Sequence, residues 1–285
     1  MLKLLPDLQF AYQAHHSTET AVVKVMADIL KALDGGDLTM LMLLDLSAAF
    51  DTVNHAILLQ CLVSSYGFRR CVLAWFTSYV DGRMYFVRCR AFKSVPTLVM
   101  CRVPQGSVLG PILFLLYTVD LVQLIQGYDL CPHFYADNTQ IYGICHPSVA
   151  AILREKMSAC VDDVALWMCS NQHQLNTTKT EVLWCAMSRR QHQIPQEATH
   201  VGNDFVQTAG WVRNLGIYLD SEASMKMHVS RTVSSCFSVL CQLRSIRRSI
   251  TCPVLQSLVV SLVLSRLDYG NTTLAGRVEQ TPAHE

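Results

Sequence analysis

Between Ser17 and Leu33 the apolar residues Ala21, Val22, Val25, Ile29 and Leu33 recur at the spacing of one helix face, and Gly35-Gly36 closes the run. The next segment, TMLMLLD at 39–45, is apolar without alternation and ends on Asp45, which predicts a short strand buried on both faces. The spacing then predicts a helix over Ala48 to Tyr66, stopped at Gly67. From Val99 an extended stretch passes through Pro104-Gln105-Gly106-Ser107 into an apolar helix beginning near Val108, with Ser107 as its N-cap. PHFYADNTQIYGI at 132–144 puts β-prone runs on both sides of Asp137-Asn138, which predicts a tight hairpin turning there. Helices are expected over Val149 to Met168 and Met225 to Ile250, and strands over Glu181 to Ala186 and Trp211 to Leu219. Mixed strands and helices in this order read as α/β or α+β.

Composition narrows the class. Hydrophobic residues make up 51% of the 285 positions and charged residues 16%, which excludes a long disordered tail. The apolar stretches Val108 to Ile125 and Val254 to Leu264 are interrupted or short, so both are expected as core helices, with no membrane span. MLKLLPDLQF lacks the continuous apolar run of a signal peptide. Twelve cysteines carry no CxxC spacing and no zinc-finger histidines, so they are expected as mostly buried free thiols, without zinc, in an intracellular compartment, cytoplasm or nucleus. A mean hydropathy of +0.26 in a chain without a membrane span warns of missing polar surface or a covering partner.

Charge is uneven beneath a formal net of +1. Between Ala223 and Leu267 stand Lys226, Arg231, Arg244, Arg247, Arg248 and Arg266, and no acidic residue. On the long helix Val229, Val233, Phe237, Leu240, Leu243 and Ile246 form an apolar stripe with Arg244, Arg247 and Arg248 beside it. Those arginines read either as a solvated face or as contacts to a phosphate backbone. Asp45 and Asp137 each end a rigid element, and two such carboxylates brought together could hold divalent ions. Taken alone, each such Asp is more often a turn or cap residue.

LLDLSAAFDTVNHAILL at Leu43 to Leu59, VPQGSVLGPILFLLYTVDL at Val103 to Leu121 and FYADNTQIY at Phe134 to Tyr142 stand in a telling order. LNTTKTEVLW at Leu175 to Trp184 and VRNLGIYLD at Val212 to Asp220 continue it. In order and spacing these segments resemble successive motifs of the reverse transcriptases of non-LTR (LINE-type) retrotransposons. The resemblance implies an α+β fold, a right-hand polymerase palm with partial fingers and the start of a thumb. It divides the chain into fingers and palm at 1–220 and a basic, helical partial thumb at 221–285.

The resemblance implies RNA-directed DNA polymerase activity, with an RNA template, a DNA primer and dNTP as partners and Mg²⁺ or Mn²⁺ as cofactor. Asp45 and Asp137 would be the metal ligands. Phe50 would lie under the sugar, Gln105 and Gly106 would line the nascent base pair, and Lys179 would act near the leaving phosphate. Leu215 and Gly216 would form the primer-grip turn, and the helix with Arg244, Arg247 and Arg248 would hold nucleic acid. Asp51 is read as structural. Without the resemblance, Phe50 reads as core, Gln105 and Gly106 as an ordinary loop and Lys179 as a surface residue.

Three positions depart from the family pattern. The family's YADD is here Tyr135-Ala136-Asp137-Asn138, where an amide replaces a carboxylate and removes one negative charge. Gln13 follows Tyr12 where the family has arginine, and Arg102 replaces a glycine. The expected protein is therefore a weak or inactive polymerase. The alternatives are a non-catalytic nucleic-acid-binding protein and a relic reading frame whose product folds poorly.

Overall fold

A computed structural model describes residues 6–104 and 106–274. Helix α1 (Thr18–Asp34) starts where the Ser17 side chain accepts from Thr20 N while the Thr20 hydroxyl accepts from Ser17 N. Its Val22, Val25, Ile29 and Leu33 are buried, as their period requires. Strand β1 (Leu38–Leu44) follows, then α2 (His55–Ser64) and α3 (Arg70–Val80). A long ribbon comes next, built from β2 (Met84–Tyr85), β3 (Arg88–Cys89), β4 (Phe92–Lys93) and β5 (Thr97–Leu98). Helices α4 (Leu109–Tyr117) and α5 (Asp120–Gln126) lead to the hairpin β6 (Cys131–Tyr135) and β7 (Asn138–Cys145). Helix α6 (Ala150–Ser170) and β8 (Glu181–Cys185) complete the central part.

Beyond β8 lie β9 (Thr199–Val201), β10 (Asp204–Val206), β11 (Thr208–Ala209) and the hairpin β12 (Trp211–Asn214) and β13 (Ile217–Asp220). Helices α7 (Lys226–Ile246), α8 (Cys252–Val259), α9 (Ser265–Asp268) and α10 (Asn271–Leu274) close the described chain. The main sheet runs β11-β8-β1-β7-β6, antiparallel except for the β11–β8 pair. Strand β1 sits at its centre and is covered on both sides. Leu38, Met40, Met42 and Leu44 join one core with Ile141, Trp184, Phe114, Met157 and Val161. Leu41 joins a second core with Tyr142, Leu183, Val22, Ile29 and Val212. The period of two thus splits one strand between two cores, and each fully buried Leu or Met contributes roughly 1.5–3 kcal/mol.

Several expectations need correction. The Ala48 to Tyr66 helix is only α2, because Ala48 takes a left-handed φ of +50° and Asn54 caps the helix by accepting from Ile57 N at 3.1 Å. The run after Val108 is two helices that break at Thr118; together Leu109–Gln126 are long and apolar enough to cross a membrane, but 56% of that window is buried in the fold. Trp211 to Leu219 is a hairpin, since Leu215 and Gly216 turn the chain with φ of +45° and +91°. The helix expected to Ile250 ends at Ile246 and gives way to a 3₁₀ turn at Arg247–Ser249.

The apolar segment Val254 to Leu264 is not a core helix: Val254, Val260, Leu262 and Leu264 are exposed, and Val263 is buried. On α7 the buried residues are His228, Cys236 and Leu243, while Val229, Val233, Phe237, Leu240 and Ile246 of the expected stripe face outward. The thiols are all free, but seven are exposed and only Cys160, Cys185 and Cys236 are buried. Three of the exposed ones lie on the ribbon, α7 and α8, and the others on α3, β6, α6 and the segment before Arg102.

Candidate active site

Asp45 stands one residue beyond β1, and the register Leu44 to Thr139 sets it across from Asn138. The turn of the β6–β7 hairpin lies one residue earlier than expected. Tyr135 pairs with Asn138, so Ala136 and Asp137 make the turn, with Ala136 at φ +56°. Asn138 is therefore the first residue of β7 and is exposed, its Nδ2 reaching Tyr135 O at 3.5 Å. Gln9, which the sequence did not single out, holds this turn. Its Oε1 accepts from Ala136 N at 3.1 Å and from Ala11 N at 3.0 Å.

Lys179 reaches the same place from the other side of β1. Asn176 N donates to Asp45 O at 3.0 Å and Ser47 N to Gln174 O at 2.9 Å, which zips the segment before β8 along the chain leaving β1. Lys179 Nζ then lies 3.1 Å from Asp45 Oδ2. Burial pushes the Asp137 carboxyl above its ordinary range, the negative charge of Asp45 adds to the rise, and Lys179 opposes it. Two carboxylates close enough to repel, faced by one ammonium, form a focus of hard oxygen donors.

Asp45, Asn138, Lys179 and Leu215 line a cavity of about 350 Å³. Its wall also carries Gln140, Glu181, Arg213 and Asn214, none of them foreseen. Asn214 Nδ2 donates to Gln140 Oε1 at 2.9 Å, while Gln140 Nε2 is buried without a protein acceptor among the described residues. The available signal was weak: a lone glutamine inside an apolar strand. Burial also raises the Glu181 carboxyl. Gly216 opens onto a second cavity of about 560 Å³, where Arg213, Arg231 and Arg266 meet and no acidic residue lines the wall.

Other named residues lie elsewhere. Phe50 is half-buried against Phe114, ring centroids 4.7 Å apart, and is not on the cavity wall. Gly106 turns the chain at φ +80° in open space, and Gln105 lies outside the described residues. Arg244, Arg247 and Arg248 are exposed at the far end of α7 and line neither cavity. Gln13 turns its amide onto the backbone of Gln9 and Pro6.

Arg102 holds a φ of +97°, a conformation that glycine adopts freely and other residues adopt under strain. Its Nε bonds Asp51 Oδ1 at 2.7 Å, and its backbone N donates to Val53 O at 2.7 Å. Exposed ion pairs contribute about 0–1 kcal/mol, whereas such strain costs about 1–3 kcal/mol. Arg102→Gly is therefore expected to raise stability by about 1 kcal/mol, seen as a higher denaturation midpoint at unchanged slope. A lower midpoint would mean that the ion pair outweighs the strain.

The sequence profile described as reverse transcriptase (RNA-dependent DNA polymerase) matches residues 1–219. The chain is 31% identical over 169 residues to the transposon BS protein of Drosophila melanogaster, described as a probable RNA-directed DNA polymerase. It is also 31% identical over 240 residues to the RNA-directed DNA polymerase of the mobile element jockey from Drosophila funebris. These alignments cover 59% and 80% of the chain but only 16% and 25% of those relatives. Among solved structures, apo telomerase of Candida tropicalis superposes with a TM-score of 0.52 at 9% identity, over 76% of this chain and 40% of that one. The fold is thus shared with that telomerase despite little sequence in common. By its profile match and its transposon relatives, the chain belongs to the reverse transcriptase (RNA-dependent DNA polymerase) family, as a domain of the LINE type.

Proposed function

We propose that this chain is the palm-centred part of an RNA-directed DNA polymerase that copies an RNA template from a DNA primer, with chemistry weakened by Asn138. The observation that carries this reading is the meeting of Asp45 and Lys179 with Asp137 of the β6–β7 turn and Asn138 at the start of β7. In this reading the five-stranded sheet is the palm, residues up to 220 include part of the fingers, and 221–285 begin a thumb.

Asp45 and Asp137 would hold a divalent ion. The fit rests on the donor set: two carboxylates whose mutual repulsion contributes to the raised Asp137 carboxyl, and an amide oxygen beside them. Mg²⁺ accepts one or two carboxylates and completes its octahedron with water and substrate phosphates. When bound, it supplies the positive charge that lowers the cost of the attacking 3′-oxygen and the leaving pyrophosphate. Lys179 Nζ offers a charged N–H to a phosphate oxygen beside Asp45. Leu215, Gly216 and the arginines near them would position the primer. Phe50, Gln105 and Gly106 would act on the dNTP side. Seven exposed, unpaired cysteines fit an intracellular, reducing setting.

A second reading is a non-catalytic nucleic-acid-binding protein. The cavity with Arg213, Arg231 and Arg266 favours it, since it keeps phosphate-binding chemistry that Asn138 does not touch. Primer extension on an RNA template with Mg²⁺ or Mn²⁺ separates the two. Slow, template-dependent incorporation of dNTP is expected from the native chain. Binding of primer–template without extension, by both the native chain and Asn138→Asp, would leave the second reading standing.

A further inference from the structure

The ribbon from Met84 to Leu98 has no partner in the fold: every residue of it is exposed. Isolated two-stranded ribbons are marginal in water. This one is further burdened by its own charges. Arg88 pairs directly with Lys93 across the strands, so two cations share one face, and like charges placed opposite each other destabilise a strand pair. Phe86 belongs to the same face, two residues before Arg88, and Lys93 Nζ lies 3.7 Å from its ring centroid. Arg90 adds a third cation at the tip, with φ +55°. No acidic residue occurs between Arg83 and Arg102. Arg88, Arg90 and Lys93 make no ion pair among the described residues. The opposite face carries Phe92, 82% exposed, beside Cys89.

We infer that this ribbon is a binding site for single-stranded nucleic acid. Phosphates placed between Arg88 and Lys93 relieve the repulsion that the free ribbon carries, which gives the polyanion its advantage over an apolar partner. Phe86 and Phe92 offer ring faces to unstacked bases, and a duplex keeps its bases stacked and unavailable. Val99 N donates to Arg83 O at 2.8 Å and closes the base of the ribbon, and the chain just beyond it is tied to the segment after Asp45 by Arg102 N to Val53 O at 2.7 Å and Val103 N to Phe50 O at 3.0 Å. A strand lying along the ribbon is thereby anchored to the same part of the chain as the cavity. The inference rests on the polymerase reading only for the presence of a nucleic acid; the site itself is argued from the charges and rings of the ribbon.

Fluorescence anisotropy with a labelled single-stranded RNA of about 16 nucleotides tests it, with a primer–template duplex measured in parallel. The variants are Arg88→Ala with Lys93→Ala, and Phe92→Ala alone. Their exposure predicts unchanged cooperative melting, which is checked first. Single-strand affinity is expected to fall about tenfold in each, and the double variant should flatten the salt dependence by about 1.4 in log–log slope, at about 0.7 per phosphate contact. Duplex affinity should stay within about twofold. Unchanged single-strand affinity with duplex binding intact would overturn this inference and leave the polymerase reading in place. A native chain that binds neither probe would overturn both. If Val95→Ser abolished self-association while the charge variants left RNA affinity unchanged, the ribbon would be a protein-docking surface, and the inference would fail.

Discussion

Asn138→Asp is expected to accelerate primer extension by about 100-fold, equivalent to about 2.7 kcal/mol of transition-state stabilisation. The site is prepared for the change. Asn138 is exposed at the start of β7 and lines the cavity with Asp45, and its Nδ2 makes only a 3.5 Å contact to Tyr135 O. Losing that contact and adding a solvated charge should leave the fold within about 0.5 kcal/mol of the native chain. The charge is added beside Asp45 and Asp137, whose repulsion already helps to raise the Asp137 carboxyl. A third carboxylate is therefore tolerable chiefly with a divalent ion present, so the gain should grow with Mg²⁺ and vanish in a chelator. Single-turnover extension on an RNA template, titrated with Mg²⁺, reads both features. Equal rates for the two proteins would show that position 138 is not what limits the chemistry.

Gly110→Ala is expected to destabilise the protein by about 2–3 kcal/mol, lowering the melting temperature by roughly 5–10 °C. A Cβ at Gly110 would lie 2.6 Å from Pro104 O and 3.0 Å from Ser107 Oγ. Neither neighbour moves freely. Pro104 has a fixed ring, and Ser107 Oγ is committed on both sides, donating to Pro104 O at 2.7 Å and accepting from Gly110 N at 2.9 Å. That pair of bonds braces the start of α4; the N-cap itself is Val108, one residue later than expected, and Ser107 acts from just before it through bonds that the added methyl would break. Gly210→Ala is the control, because a Cβ there meets nothing within 4 Å and its φ is not positive. Thermal melts of the two variants should differ by the whole effect. A Gly110→Ala protein as stable as Gly210→Ala would mean that the loop before α4 yields at little cost.

The parts legible in the sequence are those whose cause is local. Ser17 and the period of α1 specify a helix, and an apolar run closed by Asp45 specifies a central strand, because caps and two-sided burial leave marks at fixed spacing. The β6–β7 hairpin was legible but shifted by one residue. Asp and Asn are the usual turn residues, whereas Ala136 takes φ +56° here because Gln9 holds its amide. The segment after Asp45 has helical spacing, yet its backbone is bonded to Arg102 and Val103, far along the sequence from Val53 and Phe50. No local pattern encodes such a contact. Helix α7 shows the same limit: periodicity marks two faces without telling which one is covered, and the fold covers His228, Cys236 and Leu243 while Phe237 faces solvent. Gln9 and Gln140 were missed because a single amide in an apolar run has no spacing to betray it.

Tyr269 bonds Leu215 O and lies 3.0 Å from Thr18 Oγ1, and Gly270 N donates to Glu19 Oε1 at 2.6 Å, across 251 positions of chain. The first helix is thus fastened by almost the last residues described. On the ribosome, at about 5–20 residues per second, α1 waits roughly ten to fifty seconds for those partners. Its buried face, Val22 to Leu33, packs on Leu41, Tyr142, Leu183 and Val212, which are made earlier, so the turn at Thr18 and Glu19 is the last part of the helix to be fastened.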